Sequence, residues 1–164
     1  MTSSNPSFDT DIDSAGSAAL RHAETDAELR ACWPVMQQLR PKLTSADDFI
    51  ARVQRMRGEG YRLLAAWQGD TVLALAGYRL QENLVYGGRF LYVDDLVTHD
   101  AARSAQWGAR LIEATRRIAQ DAACGHLVLD TGLANARAQR FYFRQGLLTE
   151  AIRFRCALTQ GATA

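Results

Sequence analysis

This sequence predicts a mixed α/β fold, and three observations predict it. YRLLAAWQ (61–68) and TVLALAGYRLQE (71–82) flank Gly69-Asp70, the pattern of a hairpin. RFLYVDDLVT (89–98), a helical pattern over 102–122 and the short apolar stretch HLVLDT (126–131) form a strand–helix–strand unit, which is expected to be a right-handed parallel crossover. Two helical patterns precede the hairpin and one follows the crossover. The expected architecture is therefore a mixed sheet flanked by helices, with antiparallel N-terminal strands and a parallel pair near the centre.

The elements follow in order. SAALRHAE (17–24) reads as a first strand. Thr25-Asp26-Ala27-Glu28 has the capping-box form, and Leu29, Cys32, Trp33, Met36 and Leu39 continue at helical spacing. Pro34 lies inside that pattern. It removes a backbone donor and crowds Arg30, so a kink or break is expected. Thr44-Ser45 starts a second helix with Asp47 and Asp48 in its first turn. Phe49, Val53 and Met56 make its buried stripe, and Gly58-Glu59-Gly60 stops it. Strand 71–80 is apolar on both faces, so both should be covered. Trp107, Leu111, Ala114, Ile118 and Ala122 line the third helix, which Gly125 ends. ANARAQRFYFRQG (134–146) is a fourth helix closed by Gly146, and LTEAIRFRCAL (148–158) alternates as a last strand.

The 164 residues suffice for one domain with a real core. Residues 18–158 form the expected domain, with tails at 1–17 and 159–164. A net charge of +1 argues against a global field for nucleic acid or an anionic membrane. No apolar run approaches the roughly 20 residues of a membrane span. The first residues lack both the basic start and the apolar core of a secretory signal. Three widely spaced cysteines without a CxxC pair read as free, mostly buried thiols of a cytoplasmic protein. The three histidines are scattered, so no metal site is expected. Asp9, Asp11 and Asp13 imitate the start of a calcium loop, but Ser14 and Leu20 stand where glycine and glutamate belong.

Three places can carry chemistry. The first is RSAQWGARL (103–111), at a strand–helix junction. A helix start presents unpaired N–H groups and partial positive charge, which together hold phosphate. Arg103 and Arg110 could add charge there and Ser104 a hydroxyl; the same stretch also reads as a plain capped helix. The second is Asp94-Asp95 inside an apolar strand. Adjacent strand residues face opposite sides, so at least one acid should meet a cleft or a partner. These acids are candidates for a general base or an anchor for a cationic substrate, with a solvent-facing and salt-bridged pair as the alternative. The third is NARAQRFYFRQGL (135–147), where the Tyr142 phenol beside a cleft could donate a proton or could simply be core.

Taken together, YVDDLVT, RSAQWGARL and NARAQRFYFRQGL resemble, in order and spacing, the motifs of the GCN5-related N-acetyltransferase (GNAT) family. The resemblance covers roughly residues 18–158 and is strongest over 90–147. The family's phosphate turn, Gln/Arg-x-x-Gly-x-Gly/Ala, reads here Arg103-Ser104-Ala105-Gln106-Trp107-Gly108, so its first glycine is absent. The later pattern is met by Asn135, Ala138, Phe141, Tyr142, Gly146 and Leu147.

The resemblance implies a single-domain GNAT-like fold whose central parallel pair splays apart, with acetyl-CoA as acyl donor in the opening and no metal. Backbone groups of Leu96, Val97 and Thr98 would pair with the pantetheine arm and polarise the thioester carbonyl. Arg103, Ser104, Ala105, Gln106, Trp107, Gly108 and Ala109 would surround the pyrophosphate, and Asn135 and Ala138 would help fix the pantetheine. Tyr142 stands where the family has its general acid, and Asp94 is preferred over Asp95 as base. Gln106 is expected to keep an ordinary backbone conformation. Trp33, Tyr61, Tyr78 and Tyr86 are candidate pocket liners. The implied reaction is N-acetylation of a small, cationic primary amine. The alternatives are a protein or peptide amine as acceptor, and a non-catalytic acyl-CoA sensor on the same fold. A homodimer is the partner the resemblance also allows.

Overall fold

The computed structural model describes residues 18–158. The tails, and with them the calcium-like triplet at 9–13, lie outside the described residues. Two compact units divide the chain after Leu129.

The first unit carries five strands in one sheet, ordered β1-β2-β3-β4-β5 as they occur along the chain. They are β1 (Ala18–His22), β2 (Tyr61–Gln68), β3 (Thr71–Asn83), β4 (Gly88–Thr98) and β5 (His126–Leu129). Neighbours from β1 to β4 run antiparallel, and β4 pairs with β5 in parallel, so the expected mixed sheet forms, with its parallel pair at one end of the described strands rather than near the centre.

Helices α1 (Asp26–Leu39) and α2 (Ala46–Arg57) join β1 to β2, and α3 (Trp107–Asp121) joins β4 to β5. α1 begins as its sequence dictates: Thr25 Oγ1 accepts from the Glu28 N–H at 3.2 Å, and Glu28 Oε2 accepts from the Thr25 N–H at 2.9 Å. Of the kink or break expected at Pro34, the break does not occur: α1 runs through it. Proline there leaves only the Arg30 carbonyl without its helical donor, and both residues are exposed, so water can replace the missing bond. Helix α1 ends at Leu39 with Arg40 as its C-cap; Arg40 precedes Pro41 and is thereby disfavoured in helical geometry.

Strand alternation sorts the core onto the two faces. Tyr61, Leu63, Ala65 and Trp67 of β2 pack with Leu29, Cys32, Met36, Phe49 and Val53 of α1 and α2. Leu64 and Ala66 point the other way and join Ala74, Ala76, Leu91 and Val93 in the cluster of Trp107 and Leu111 from α3. Both faces of β3 are covered, as its two-sided apolar character requires.

Several boundaries differ from the sequence reading. The segment after β4 is first a 3₁₀ turn, η1 (Asp100–Ala105), and α3 starts only at Trp107 rather than at 102. α3 is not closed by Gly125; the left-handed residue there is Ala123, at φ 54°. The second unit holds α4 (Ala136–Arg144), closed by a left-handed Gly146 at φ 77° as expected. The predicted strand at 148–158 does not form: these residues have no regular structure and are exposed. Alternation gives a strand tendency, but a strand exists only as half of a ladder. Nor are the thiols mostly buried: Cys32 is, Cys124 is partly covered and Cys156 is exposed.

Candidate active site

The centre of the candidate site is a β-bulge in β4. Gly77 of β3 pairs with Asp95, and the next residue, Tyr78, pairs with Val93. Asp94 is therefore an extra residue in the ladder. The expectation that the two acids face opposite sides fails for this reason, since the extra residue cancels one step of alternation. Asp95 Oδ2 accepts from the Tyr61 hydroxyl at 2.8 Å, and Asp94 Oδ2 accepts from Arg79 Nε at 3.0 Å. The Arg79 guanidinium lies 5.6 Å from the Tyr61 ring centroid, so both carboxylates end on the side of Tyr61.

Each acid has a cation of its own. Arg40 Nε donates to Asp95 Oδ1 at 2.7 Å, and Arg40 Nη2 donates to the Asp94 carbonyl at 2.8 Å. Arg79 Nη1 also reaches Glu59 Oε2 at 3.1 Å. Asp95, only 8% exposed, thus has both oxygens occupied. Asp94 is partly open and keeps its Oδ1 without a hydrogen-bond partner among the described residues. Burial pushes the Asp94 carboxyl above the usual range, and the Arg79 charge pulls it back in part. Burial, and then the Asp95 charge, hold the Tyr61 phenol well above its ordinary value, so it stays a donor. Asp94 and Asp95 thus each pair with a guanidinium, and Arg79 is shared with a third carboxylate, Glu59.

Gly77 makes the cluster possible. A Cβ there would stand 2.0 Å from the Tyr61 hydroxyl and 2.7 Å from Asp95 Oδ2. Arg40, Gly77 and Arg79 were not picked out from the sequence, although an isolated glycine inside a buried strand is a sign of a bulge or a close approach. Tyr61 was named, but as a pocket liner.

Beyond the bulge the parallel ladder stops. β4 pairs with β5 from Phe90↔His126 to Val93↔Leu129, and β4 continues to Thr98 without a β5 partner. The backbone edge of residues 94–98, including Leu96, Val97 and Thr98, is thus free of β5, which is what an extended, amide-bearing ligand needs. The chain then turns through η1 into α3. Gln106 sits between them at φ 57°, ψ 23°, in the left-handed region, so the expected ordinary conformation is overturned. The backbone here requires what the missing motif glycine would have supplied, because the following helix must start in a new direction directly after η1.

Among the described residues, no side chain caps α3. Its first internal bond in the turn region runs from the Arg110 N–H to the Gln106 carbonyl at 3.2 Å, leaving the N–H groups of Trp107, Gly108 and Ala109 ahead of the ladder. An uncapped start of a 15-residue helix suits a pyrophosphate. Ser104 and Ala105 lie in η1 just before it. Arg103 forms an exposed ion pair with Asp100 at 2.5 Å, and Arg110 stacks on the Trp107 ring at 4.7 Å.

The second unit holds the remaining expected residues. Asn135 Oδ1 accepts from the Ala138 N–H at 3.1 Å and so caps α4. Tyr142 packs edge-on against Phe141 with centroids 5.3 Å apart, and burial raises its phenol above the ordinary value. Among the other expected liners, Trp33 stacks on Phe49, Tyr86 lies between Phe90 and His126, and Tyr78 bonds His22 at 2.8 Å. Among the described residues, no group of three or more His, Cys, Asp or Glu side chains gathers as metal ligands. No helix of the described residues is long and apolar enough to cross a membrane.

The model of the acetyltransferase (GNAT) family matches residues 23–147, which include the bulge, η1, α3 and α4. The chain belongs to the GNAT acetyltransferase family. The GNAT chain is 28% identical over 138 residues to the uncharacterized N-acetyltransferase YhdJ of Bacillus subtilis, covering 83% of this chain and 96% of that protein. Its fold is similar to that of the aminoglycoside N-acetyltransferase AAC(6')-Iy in complex with CoA, with TM-score 0.76, 16% identity, and coverage of 89% of this chain and 98% of that one. It is also similar to a transcriptional regulator from Bacillus halodurans, with TM-score 0.76, 18% identity, and coverage of 86% and 99%. The protein is accordingly an acyltransferase of the N-acetyltransferase class, and transfer from acetyl-CoA is general in its family.

Proposed function

We propose that residues 18–158 act as an acetyltransferase domain that moves the acetyl group of acetyl-CoA onto a primary amine of a small molecule. The observation that carries this reading is the sequence of features along one strand: a bulge with an available carboxylate, a strand edge free of its parallel neighbour, and an uncapped helix.

The edge of Leu96, Val97 and Thr98 takes the pantetheine amides and directs an N–H at the thioester oxygen, where negative charge grows as the amine adds. The N–H groups of Trp107, Gly108 and Ala109 take the pyrophosphate, with Ser104, Ala105 and Gln106 supplying the preceding backbone. Arg103 adds charge if it leaves Asp100. Asn135, while capping α4, keeps its amide NH₂ for the pantetheine, beside Ala138.

Most aliphatic amines are protonated near neutral pH, so the nucleophile must first lose a proton. Asp94 takes it through the free Oδ1. Asp95 cannot, because both of its oxygens are engaged; its role is to hold the bulge. The amine nitrogen bonds to the acetyl carbon, the carbon–sulfur bond breaks, and the departing thiolate takes a proton from Tyr142. Much of the acceleration comes from holding the two reactants in place. The free thiols fit a reducing compartment, and the cytoplasm is the location we propose.

The test is incubation with acetyl-CoA and a panel of small primary amines, following free thiol release and, separately, the melting temperature. Amine-dependent release is the expected result. A melting temperature indifferent to every CoA species would overturn the site; stabilisation without turnover would overturn the small-amine reading.

A further inference from the structure

We infer that the acceptor amine carries an anionic group, a carboxylate or a phosphate, received by the Arg40 guanidinium beside the bulge of β4. This inference rests on the reading of Asp94 as the base. It names the class of acceptor and reverses the expectation drawn from two adjacent acids.

Charge comes first. Asp95 is matched by Arg40 and Asp94 by Arg79, which also pairs with the 73%-exposed Glu59, so the one carboxylate in excess lies in solvent beyond Arg79, where water and salt screen it. Arg79 is nearly covered, with Nε on Asp94 and Nη1 on Glu59. It lies between Asp94 and Glu59, and its side chain is 17% exposed. Arg40 is different. Its side chain is 50% exposed, although two of its nitrogens are fixed. Nε and Nη2 are bound to Asp95 and to the Asp94 carbonyl, and Nη1 has no partner among the described residues. Lys42, also exposed, follows two residues later.

A guanidinium pinned along one edge and open along the other is a pre-organised anion receptor, because the cost of ordering a long side chain has already been met by its buried partners. Arg40 is held in this position by the sequence: it is the C-cap of α1, immediately before Pro41. The two free groups then define an acceptor. Asp94 Oδ1 receives the amine, and Arg40 Nη1, on a guanidinium whose Nη2 is tied to the carbonyl of the same residue, receives the anion. A second ammonium in that place would meet Arg40 as a like charge.

Matched acceptors provide the test. β-Alanine and 1,3-diaminopropane have similar reach and opposite charge at the far end; propylamine has none, and O-phosphoethanolamine separates phosphate from carboxylate. The expected result is kcat/KM for β-alanine or O-phosphoethanolamine at least about tenfold above propylamine, with diaminopropane below propylamine. Arg40→Ala should bring the ratio of anionic acceptor to propylamine towards one, mainly through KM, and Arg40→Lys should restore part of it. Because the readout is a ratio, a general loss of activity in the variant leaves it interpretable. A wild-type preference for diaminopropane, or a ratio unchanged by Arg40→Ala, overturns the inference. Calorimetric binding of the same compounds in the presence of CoA separates the two levels. Absence of turnover with every amine overturns the enzymatic reading, whereas weaker binding of both anionic amines than of diaminopropane overturns this one.

Discussion

At the scale of single residues, Asp94 and Asp95 are neighbours in sequence with opposite prospects. Asp95 has a phenol on one oxygen and a guanidinium on the other, while Asp94 has one oxygen engaged and one open. Burial disfavours the charged form of Asp94, so its folded pKa lies above the roughly 3.9 of a free aspartate. A base must be ionised to act, so kcat/KM should rise with pH through that raised value and then level. Asp94→Asn should abolish this limb and lower kcat/KM by about 10²-fold or more, whereas Asp95→Asn should weaken the fold with the limb retained. A limb that survives in Asp94→Asn would remove Asp94 from the role. Gly77 is the second decisive residue. Gly77→Ala puts a methyl within 2.0 Å of the Tyr61 hydroxyl, so the phenol must leave Asp95. A cost of about 1–3 kcal/mol is expected in denaturant unfolding. Tyr61→Phe in the same chain should recover part of it, because the nearest clashing atom is gone while ring carbon Cζ stays 2.6 Å from the added methyl, and strictly additive costs would disprove the contact. Neither the free oxygen nor the covered one is legible in the sequence. DD within an apolar strand announces two costly carboxylates, but the partners of Asp95, Arg40 and Tyr61, stand 55 and 34 positions away, and that of Asp94, Arg79, stands 15 away on another strand.

Elements were legible where a local rule governs them. The capping box at Thr25 and the Ser45 cap set α1 and α2 at the predicted ends, and alternation in β2 sorted the core between faces. The bulge was not, because one extra residue in a ladder depends on which residues of the partner strand lie opposite. The start of α3 was misjudged for a related reason: Asp100–Ala105 are coiled as a 3₁₀ turn, so helical spacing began five residues too early. The break falls at Gln106, whose left-handed backbone costs about 1–2 kcal/mol in a residue with a Cβ. Gln106→Gly should therefore raise stability by about 1 kcal/mol, read as a melting temperature higher by roughly 2–4 °C. Acetyl-CoA affinity should change by less than about tenfold, because the N–H groups of Trp107, Gly108 and Ala109 are already presented by the existing turn. A much larger gain in affinity would mean that glutamine distorts the cradle, and a loss of stability would contradict the left-handed assignment.

At the scale of the whole molecule, the fold class was readable because the order of patterns, antiparallel strands before a strand–helix–strand unit, leaves few topologies open. The final strand was misread because its partner, unlike its alternation, is not a local property. The proposed chemistry is likewise distributed along the chain: the base at residue 94 in β4, the anion cradle at 107–109 in α3 and the acid at 142 in α4. Burial holds the Tyr142 phenol in its protonated form, as a donor to a departing thiolate requires. If Tyr142 acts only as the leaving group departs, Tyr142→Phe should lower kcat by about 10²–10⁴-fold and leave the melting shift produced by acetyl-CoA nearly intact. Should affinity fall as much as turnover, the phenol is a binding surface and not an acid. Combining Tyr142→Phe with Asp94→Asn extends the argument to the molecule as a unit. Groups serving one transition state lose less together than the product of their separate losses, because the first loss already removes the step that the second assists. Independent sites more than about 10 Å apart lose the full product. A double variant well above that product would establish that residues 94 and 142, drawn from separate parts of the chain, act on the same acetyl transfer.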